Sequence, residues 1–308
     1  MSLRRALAGQ TMDGLAYVQW MQAGLQEGGL VPLSLGNLTV RPAPSDGSST
    51  GAWDEIGADF YRLDDALQAT KPVFIRLAYR VFQGSYASSR SLLGLEVRLG
   101  TGFDAGARAL TGVMGAVQSG PPGATLNSNA IPDHMAATQA RHGHVLTDPG
   151  GFSVSLRTSP HTVQGYSYTS AQAALNVERM RAADGSVDPS GRVLVTANTT
   201  TLTGYLFEYG MAPLTLSGPY FPAPTSGRDV TTGALYHFPP VYASPRGVLP
   251  SSRLLTFMGL NDAAMGLYEL DHLGARREFF VPSMVAATSG LLSPSTNLVT
   301  AFWTRDLT

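Results

Sequence analysis

Apolar and polar residues alternate along much of this chain, which is the pattern of half-buried β-strands. In residues 73–82 (VFIRLAYRVF), Ile75 and Leu77 fall on one side of such a strand and Arg76 and Arg80 on the other. The same alternation predicts further strands at residues 92–102, 152–156, 192–197, 201–208, 213–217, 253–260, 265–282 and 298–303. Turns are expected at 148–151 and 272–275, because glycine and proline punctuate the pattern there.

The clearest local signal is a long hairpin over residues 175–195 (LNVERMRAADGSVDPSGRVLV). Two β-prone ends flank a polar middle that contains Asp184-Gly185 and Ser190-Gly191, which favour bends. We expect this hairpin to project from the body and to extend the sheet of a neighbouring subunit.

Helical spacing is rare in the chain. Residues 14–27 (GLAYVQWMQAGLQE) predict a short amphipathic helix or an extended arm, and residues 59–70 predict one or two helical turns. A Pro/Ser/Gly-rich stretch at 42–51 reads as a flexible loop. The expected organisation is an N-terminal arm over 1–50 that reaches a neighbour and a β-rich body over 51–308, which divides into two lobes if the irregular loop near 118–133 separates them.

Many short strands with scarcely a helix between them predict a mainly β fold. We expect an antiparallel β-sandwich, similar to a jelly roll, with long loops and a short helical or extended N-terminal arm.

Composition favours a protein that associates with copies of itself. Hydrophobic residues make up 44% of the 308, enough for a real core. Charged residues make up only 14%, against roughly 25% in ordinary soluble domains. A surface with so few charges desolvates easily at subunit contacts. The net charge of −1, with Lys71 as the only lysine, argues against nucleic-acid binding, and no apolar run is long enough for a membrane helix.

The sequence gives little evidence for a catalytic or metal-binding site. Ser49 lies in a G-x-S-x-G sequence, but this stands in a loop without the flanking strand and helix that a nucleophile elbow needs. His142 and His144 share one face of a strand, and His134 or Asp148 could approach them, yet no carboxylate stands at a defining spacing. We therefore predict no catalytic residue, no metal and no cofactor. A hydrolase that uses Ser49 is the least favoured alternative.

Aromatic residues, several of them beside proline, are the best candidates for a binding surface, because such segments form rigid contact surfaces that lose little entropy on binding. The predicted interface residues are Tyr17, Trp20, Met180, Arg181, Tyr220, Phe221, Tyr236 and Phe238. The alternative is that the aromatic loops between 205 and 242 stack on sugars, in a module that binds carbohydrate or a host receptor.

Several blocks of the chain resemble structural proteins of tailed-bacteriophage virions. The blocks are Lys71–Leu77, Leu99–Gly106 through Gly112, LNVERMRAADG with VLV, Tyr236–Pro240, Ser244-Pro245 and Gly274–Pro282. The resemblance covers residues 70–290 in scattered pieces and carries over no catalytic residue. It implies a non-enzymatic, homo-oligomeric component of a tail, tail tip, baseplate or capsid-tail junction. Such a protein contacts other virion proteins and is located in the host cytoplasm before assembly and in the virion afterwards.

Overall fold

The protein is built from antiparallel strands with one helix among its described residues. A computed structural model describes residues 2–39, 53–83, 90–119, 139–158, 161–163, 166–168, 172–181, 186–198, 202–220, 237–238, 241–244, 247–250, 254–258, 266–272, 275–281 and 298–307. The mainly β, antiparallel fold class predicted from the alternating pattern is confirmed.

The elements have the following bounds. They are β1 Ser2–Met12, α1 Gly14–Gln26, β2 Val31–Ser34, β3 Trp53–Arg62, β4 Phe74–Gln83, β5 Arg90–Asp104, β6 Ala109–Ser119, β7 Gln139–Asp148, β8 Gly151–Thr158, β9 His161–Val163, β10 Tyr166–Tyr168, β11 Gln172–Arg179, β12 Val193–Asn198, β13 Leu202–Phe207, β14 Leu214–Thr215, β15 Ser217–Tyr220, β16 His237–Phe238, β17 Val241–Ser244, β18 Gly247–Pro250, β19 Leu254–Met258, β20 Gly266–His272, β21 Ala275–Val281 and β22 Leu298–Asp306.

Two large sheets share one hydrophobic core. The five-stranded sheet has the order β2-β3-β4-β5-β6, and the seven-stranded sheet has the order β1-β7-β8-β11-β12-β13-β14. Ile75 and Val97 of the first sheet and Val154 and Val195 of the second are buried in the same apolar cluster. The predicted faces of residues 73–82 are correct, because the apolar side of this strand points into that core.

The two large sheets are meanders. Their neighbouring strands follow one another along the chain, with β1 added beside β7. A jelly roll is instead built from Greek keys across its two sheets, so these sheets do not have the predicted jelly-roll order. The short strands β9 and β10 pair only with each other, as a separate hairpin.

The N-terminal residues belong to the body, which corrects the expected arm over 1–50. β1 pairs antiparallel with β7, with Ala6 opposite His144. The helix α1 is capped by Asp13, whose carboxylate accepts from the backbone N–H of Ala16 at 2.7 Å. Its apolar face is buried against the sheet, as the helical spacing predicted. The predicted loop at 42–51 lies outside the described residues.

The helical turns expected at residues 59–70 are only partly present. Strand β3 continues to Arg62, and turns occupy residues 65–70. The prediction failed at the start of this segment because of Asp59. A carboxylate suggests an exposed position in sequence, but the Asp59 side chain is buried on the core side of β3.

The C-terminal strands form further sheets against the seven-stranded sheet. β16-β19-β22-β21-β20 make a second five-stranded sheet, and β15-β17-β18 make a three-stranded one. Phe280 and Phe302 of the first pack on Leu146 of β7 and Leu3 of β1. The predicted hairpin over 265–282 is confirmed by the pairing of β20 with β21.

The strands before and after the loop near 118–133, which was expected to separate two lobes, share one core. Val117, before that loop, and Val145, after it, are buried in the same apolar cluster. Residues 120–138 themselves lie outside the described part of the chain.

Candidate assembly surface

The two aromatic residues predicted at an N-terminal contact pack on their own chain. Tyr17 is fully buried, and its hydroxyl donates to the backbone carbonyl of His142. The Arg141 guanidinium lies 5.5 Å from the Tyr17 ring centroid, and Trp20 stacks on Tyr17 with the ring centroids 6.0 Å apart. Trp20 itself is half-buried. Helical spacing predicted the apolar face correctly but assigned it to a neighbour, because a sequence pattern does not say which sheet covers a face.

The hairpin predicted at 175–195 exists, but its base lies against the body. β11 and β12 pair in register from Leu175 opposite Ala197 to Arg179 opposite Val193. Met180 is buried, and Arg181 is half-buried and bridges to Val187 through the backbone. Met180 packs in an apolar cluster with Leu194, Leu206 and Leu216. The predicted projection is therefore wrong at Met180, while the tip at 182–185 lies outside the described residues.

The structure describes only the backbone at two of the other predicted interface positions. Tyr220 ends β15 and Phe238 ends β16. Phe221 and Tyr236 lie outside the described residues. Their roles at an interface stay predictions.

Two aromatic residues at the start of the 205–242 segment make contacts inside the chain. Phe207 is fully buried in the main core. The Tyr209 hydroxyl donates to the backbone carbonyl of Pro72, and the Lys71 ammonium lies 5.1 Å from the centroid of the Tyr209 ring. These contacts fix the turn after β13 onto the start of β4.

A buried carboxylate joins α1 to the five-stranded sheet. Asp59 Oδ1 accepts from Gln22 Nε2 and from the Gly36 N–H, each at 2.8 Å, and Oδ2 accepts from the hydroxyls of Tyr61, at 3.0 Å, and Tyr79. Burial raises the pKa of Tyr61 and of Tyr79, so both hydroxyls stay protonated and act as donors. Asp59 is fully buried, and these four donors compensate for the loss of water around it.

A buried ion pair fixes the hairpin to the body. Arg179 Nε donates to Asp65 Oδ2 at 2.7 Å, and the two side chains are 1% and 6% exposed. The same guanidinium donates to the backbone carbonyls of Gly191 and Lys71, each at 3.0 Å. Arg179 thus connects β11, the hairpin bend and the turn before β4.

The buried His144 is held between two serines. Its Nε2 lies 3.0 Å from Ser153 Oγ and its Nδ1 lies 2.9 Å from Ser155 Oγ. Phe280 and Phe302 pack on its ring, with centroid distances of 5.5 and 4.7 Å. Burial lowers the pKa of His144 to about 3, so the imidazole is neutral at physiological pH. It links the seven-stranded sheet to the C-terminal sheet.

The outer face of the five-stranded sheet carries a charged cluster centred on Glu96. Arg80 and Arg98 donate to its carboxylate at 2.7 and 2.6 Å, Gln118 donates at 3.0 Å, and an Arg76 nitrogen lies 3.7 Å away. Burial opposes the charge of Glu96, but the hydrogen bonds from Gln118 and Arg98 and the charge of Arg80 outweigh it and hold the pKa of this carboxyl below its usual range. The charge of Glu96 is thus fully compensated within the chain.

The histidines considered for a metal site are not assembled for one. Both ring nitrogens of His144 bond to serines, and within the described residues no group of three or more His, Asp or Glu could hold a metal ion. His134 and Ser49 lie outside the described residues.

The edge strand β6 contributes Gln118 to the Glu96 cluster but carries no charge of its own. It runs for 11 residues (ALTGVMGAVQS) without a charged side chain. Among the described strands it pairs only with β5, which leaves its other edge open. Val113 is 60% exposed, the highest value among the exposed large apolar side chains of the described residues. Four more side chains of β6 are exposed, those of Ala109, Thr111, Ala116 and Gln118.

Other edge strands of the described sheets are short or charged. β1 carries Arg4 and Arg5, and β20 presents Glu269 and Asp271, which are 59% and 81% exposed. The remaining edge strands, β2, β9, β10, β14, β15, β16 and β18, have four residues or fewer. Short length and charge are two of the ways in which natural sheets prevent an edge from pairing with another chain. β6 lacks both, and it is therefore the candidate assembly surface.

Within the described residues, no helix is long and apolar enough to span a membrane. Comparisons with protein families, with curated proteins and with solved structures find no match to this chain.

Proposed function

We propose that this chain is a non-enzymatic structural protein of a tailed-bacteriophage particle. It associates with copies of itself and contacts other virion proteins in a tail, tail tip, baseplate or capsid-tail junction. The observation that carries the self-association is the edge of β6, which is uncharged and pairs with no second strand among those that the structure describes, because such an edge is a template for adding a strand from another chain.

The way the chain uses its polar groups supports a structural role. Asp59, Arg179 and His144 are the kinds of residue that enzymes use, yet each is almost fully buried and bonded to several elements of the fold. Their bonds hold sheets, helix and hairpin together. The particle assignment itself rests on the resemblance of the sequence blocks to virion proteins.

Imaging tests the self-association. The purified full chain, viewed in negative stain at increasing concentration, should form regular assemblies such as rings or tubes. Fields that contain only single 32.5 kDa particles at every concentration would contradict it.

Labelling tests the place in a virion. An antibody raised against the chain should decorate phage particles purified from a host that carries this gene. Signal confined to the soluble host fraction, with bare particles, would exclude the virion role even if the purified chain assembles.

A further inference from the structure

We infer that β6 pairs antiparallel with β6 of a second copy of this chain, about a two-fold axis near Val113. The two five-stranded sheets that end in β6 would then become one continuous ten-stranded sheet. This inference rests on the proposed self-association and names the surface and the symmetry of one of its contacts, the one that joins two copies.

The absence of charge in β6 favours an identical strand as its partner. In an antiparallel pair, opposite residues lie with their Cα atoms about 4.5–5.5 Å apart, and like charges at that distance destabilise the pair. A two-fold axis places each half of the strand opposite the other half of the strand in the second copy. A strand with charges of one sign in both halves would therefore repel its copy. β6 has no charged residue over its 11 positions and escapes this repulsion.

Charge also makes the other long edges poor partners for β6. β1 would bring Arg4 and Arg5 to the contact, and β20 would bring Glu269 and Asp271. β6 offers no opposite charge to either strand. Pairing with β6 would remove water from these charged groups without adding a counter-charge, which weakens the contact.

The irregularity of β6 fits an axis near its middle. The register with β5 shifts between Leu99 and Gly100, which pair with Gly115 and Val113, so Met114 is the extra residue of a bulge. Two regular stretches remain, 109–113 and 115–119, one on each side of the bulge. In an antiparallel two-fold pair each stretch meets the opposite stretch of the other copy. The axis then passes beside the bulge residue Met114, and its exposed neighbour Val113 lies next to the axis and close to Val113 of the other copy.

A lysine placed on this edge tests the surface. Val113→Lys should raise the dissociation constant of the assembly at least about tenfold, because two ammonium groups would meet near the axis. Leu267→Lys is the matched control, since Leu267 is a 51% exposed apolar residue on the charged edge β20. It should leave the constant within about twofold of the wild-type value. Both variants should keep the wild-type circular dichroism spectrum, and dissociation constants come from sedimentation.

Disulfide cross-linking tests the symmetry and does not depend on the lysine variant. The chain contains no cysteine, so each introduced thiol is unique. Strand neighbours in an antiparallel pair lie within the Cα separations that disulfides span. Under mild oxidation, Val113→Cys should form covalent dimers by itself. Ala109→Cys and Gln118→Cys should form them only when the two variants are mixed, because opposite ends of β6 meet. Leu267→Cys should remain single.

The outcomes separate the two levels of the proposal. If the wild-type chain assembles, Val113→Lys does not change its dissociation constant and Val113→Cys forms no covalent dimer, the β6 contact is wrong. The proposed self-association would still stand in that case. Linked dimers of Ala109→Cys alone and of Gln118→Cys alone would overturn the antiparallel two-fold pairing. A wild-type chain that never associates would contradict the proposed function itself.

Discussion

The interior of this protein and its β6 edge reverse the usual placement of polar and apolar groups. Fully buried positions hold Asp59, Arg179 and His144, each with several internal partners. The exposed edge holds no charge and a Val113 that is 60% exposed. The buried polar groups hold the elements of one chain together, and we propose that the uncharged edge forms contacts between chains. Substitutions in the interior should therefore change folding stability, and substitutions on the edge should change association.

The largest interior effect is expected at the buried ion pair. Arg179→Met should lower the free energy of unfolding by about 3–5 kcal/mol, because Asp65 would remain buried without its counter-charge. Urea denaturation of the variant and of the wild type measures the difference.

A double variant shows whether the charge is the cause. Combining Arg179→Met with Asp65→Leu should recover part of the loss, since no unpaired charge remains. If the losses in the free energy of unfolding caused by the two single substitutions simply add in the double variant, the two residues are not coupled.

A smaller interior effect is expected at Asp59. Asp59→Asn should lower the free energy of unfolding by about 1–3 kcal/mol, because the amide cannot accept all the hydrogen bonds that the carboxylate accepts. Asp64→Asn is the control, because the Asp64 side chain is 58% exposed and lies 3.7 Å from Arg62. It should cost less than about 1 kcal/mol. Equal losses in the two variants would show that the Asp59 cluster does not hold α1 to the sheet.

The pH dependence of stability should reveal His144. Its pKa is about 3 in the folded chain and about 6.5 in an unfolded one, so the unfolded state binds the extra proton between these values. Stability is then complete above pH 6.5 and falls as the pH is lowered, by up to about 1.4 kcal/mol per pH unit from this group.

The useful window for that test is pH 6.5 to 4.5. The pKa values of Glu96 and Glu278 are lowered in the folded chain, so their contributions are lost only at more acidic pH. His144→Gln keeps a donor and an acceptor for the two serines but does not titrate. Thermal unfolding should show a smaller loss for this variant across the window, and parallel curves for the two proteins would contradict the buried, neutral imidazole.

Local alternation was enough to predict much of the fold. The faces of residues 73–82 and the hairpins at 175–195 and 265–282 follow from a period of two and from turn residues. β1 and β6 were not predicted, because arginines in β1 and Gly112 and Gly115 in β6 interrupt the apolar pattern.

The interior clusters could not be predicted in the same way. Asp65 and Arg179 are 114 positions apart, and nothing close to either residue in the sequence indicates the other. Tyr17 was assigned to a contact between subunits for the same reason, because the strand that covers it is 125 positions away. Sequence patterns indicated which residues are apolar, and only the sheet order shows what each of them contacts.

Sedimentation velocity of the unmodified chain over a wide range of concentrations tests the central claim most directly. The account predicts a mass that rises from the 32.5 kDa of one chain to that of the β6-paired dimer as the concentration increases, and larger assemblies then need further contacts between dimers. A mass that stays at one chain at every concentration would show that the open edge of β6 joins no second copy.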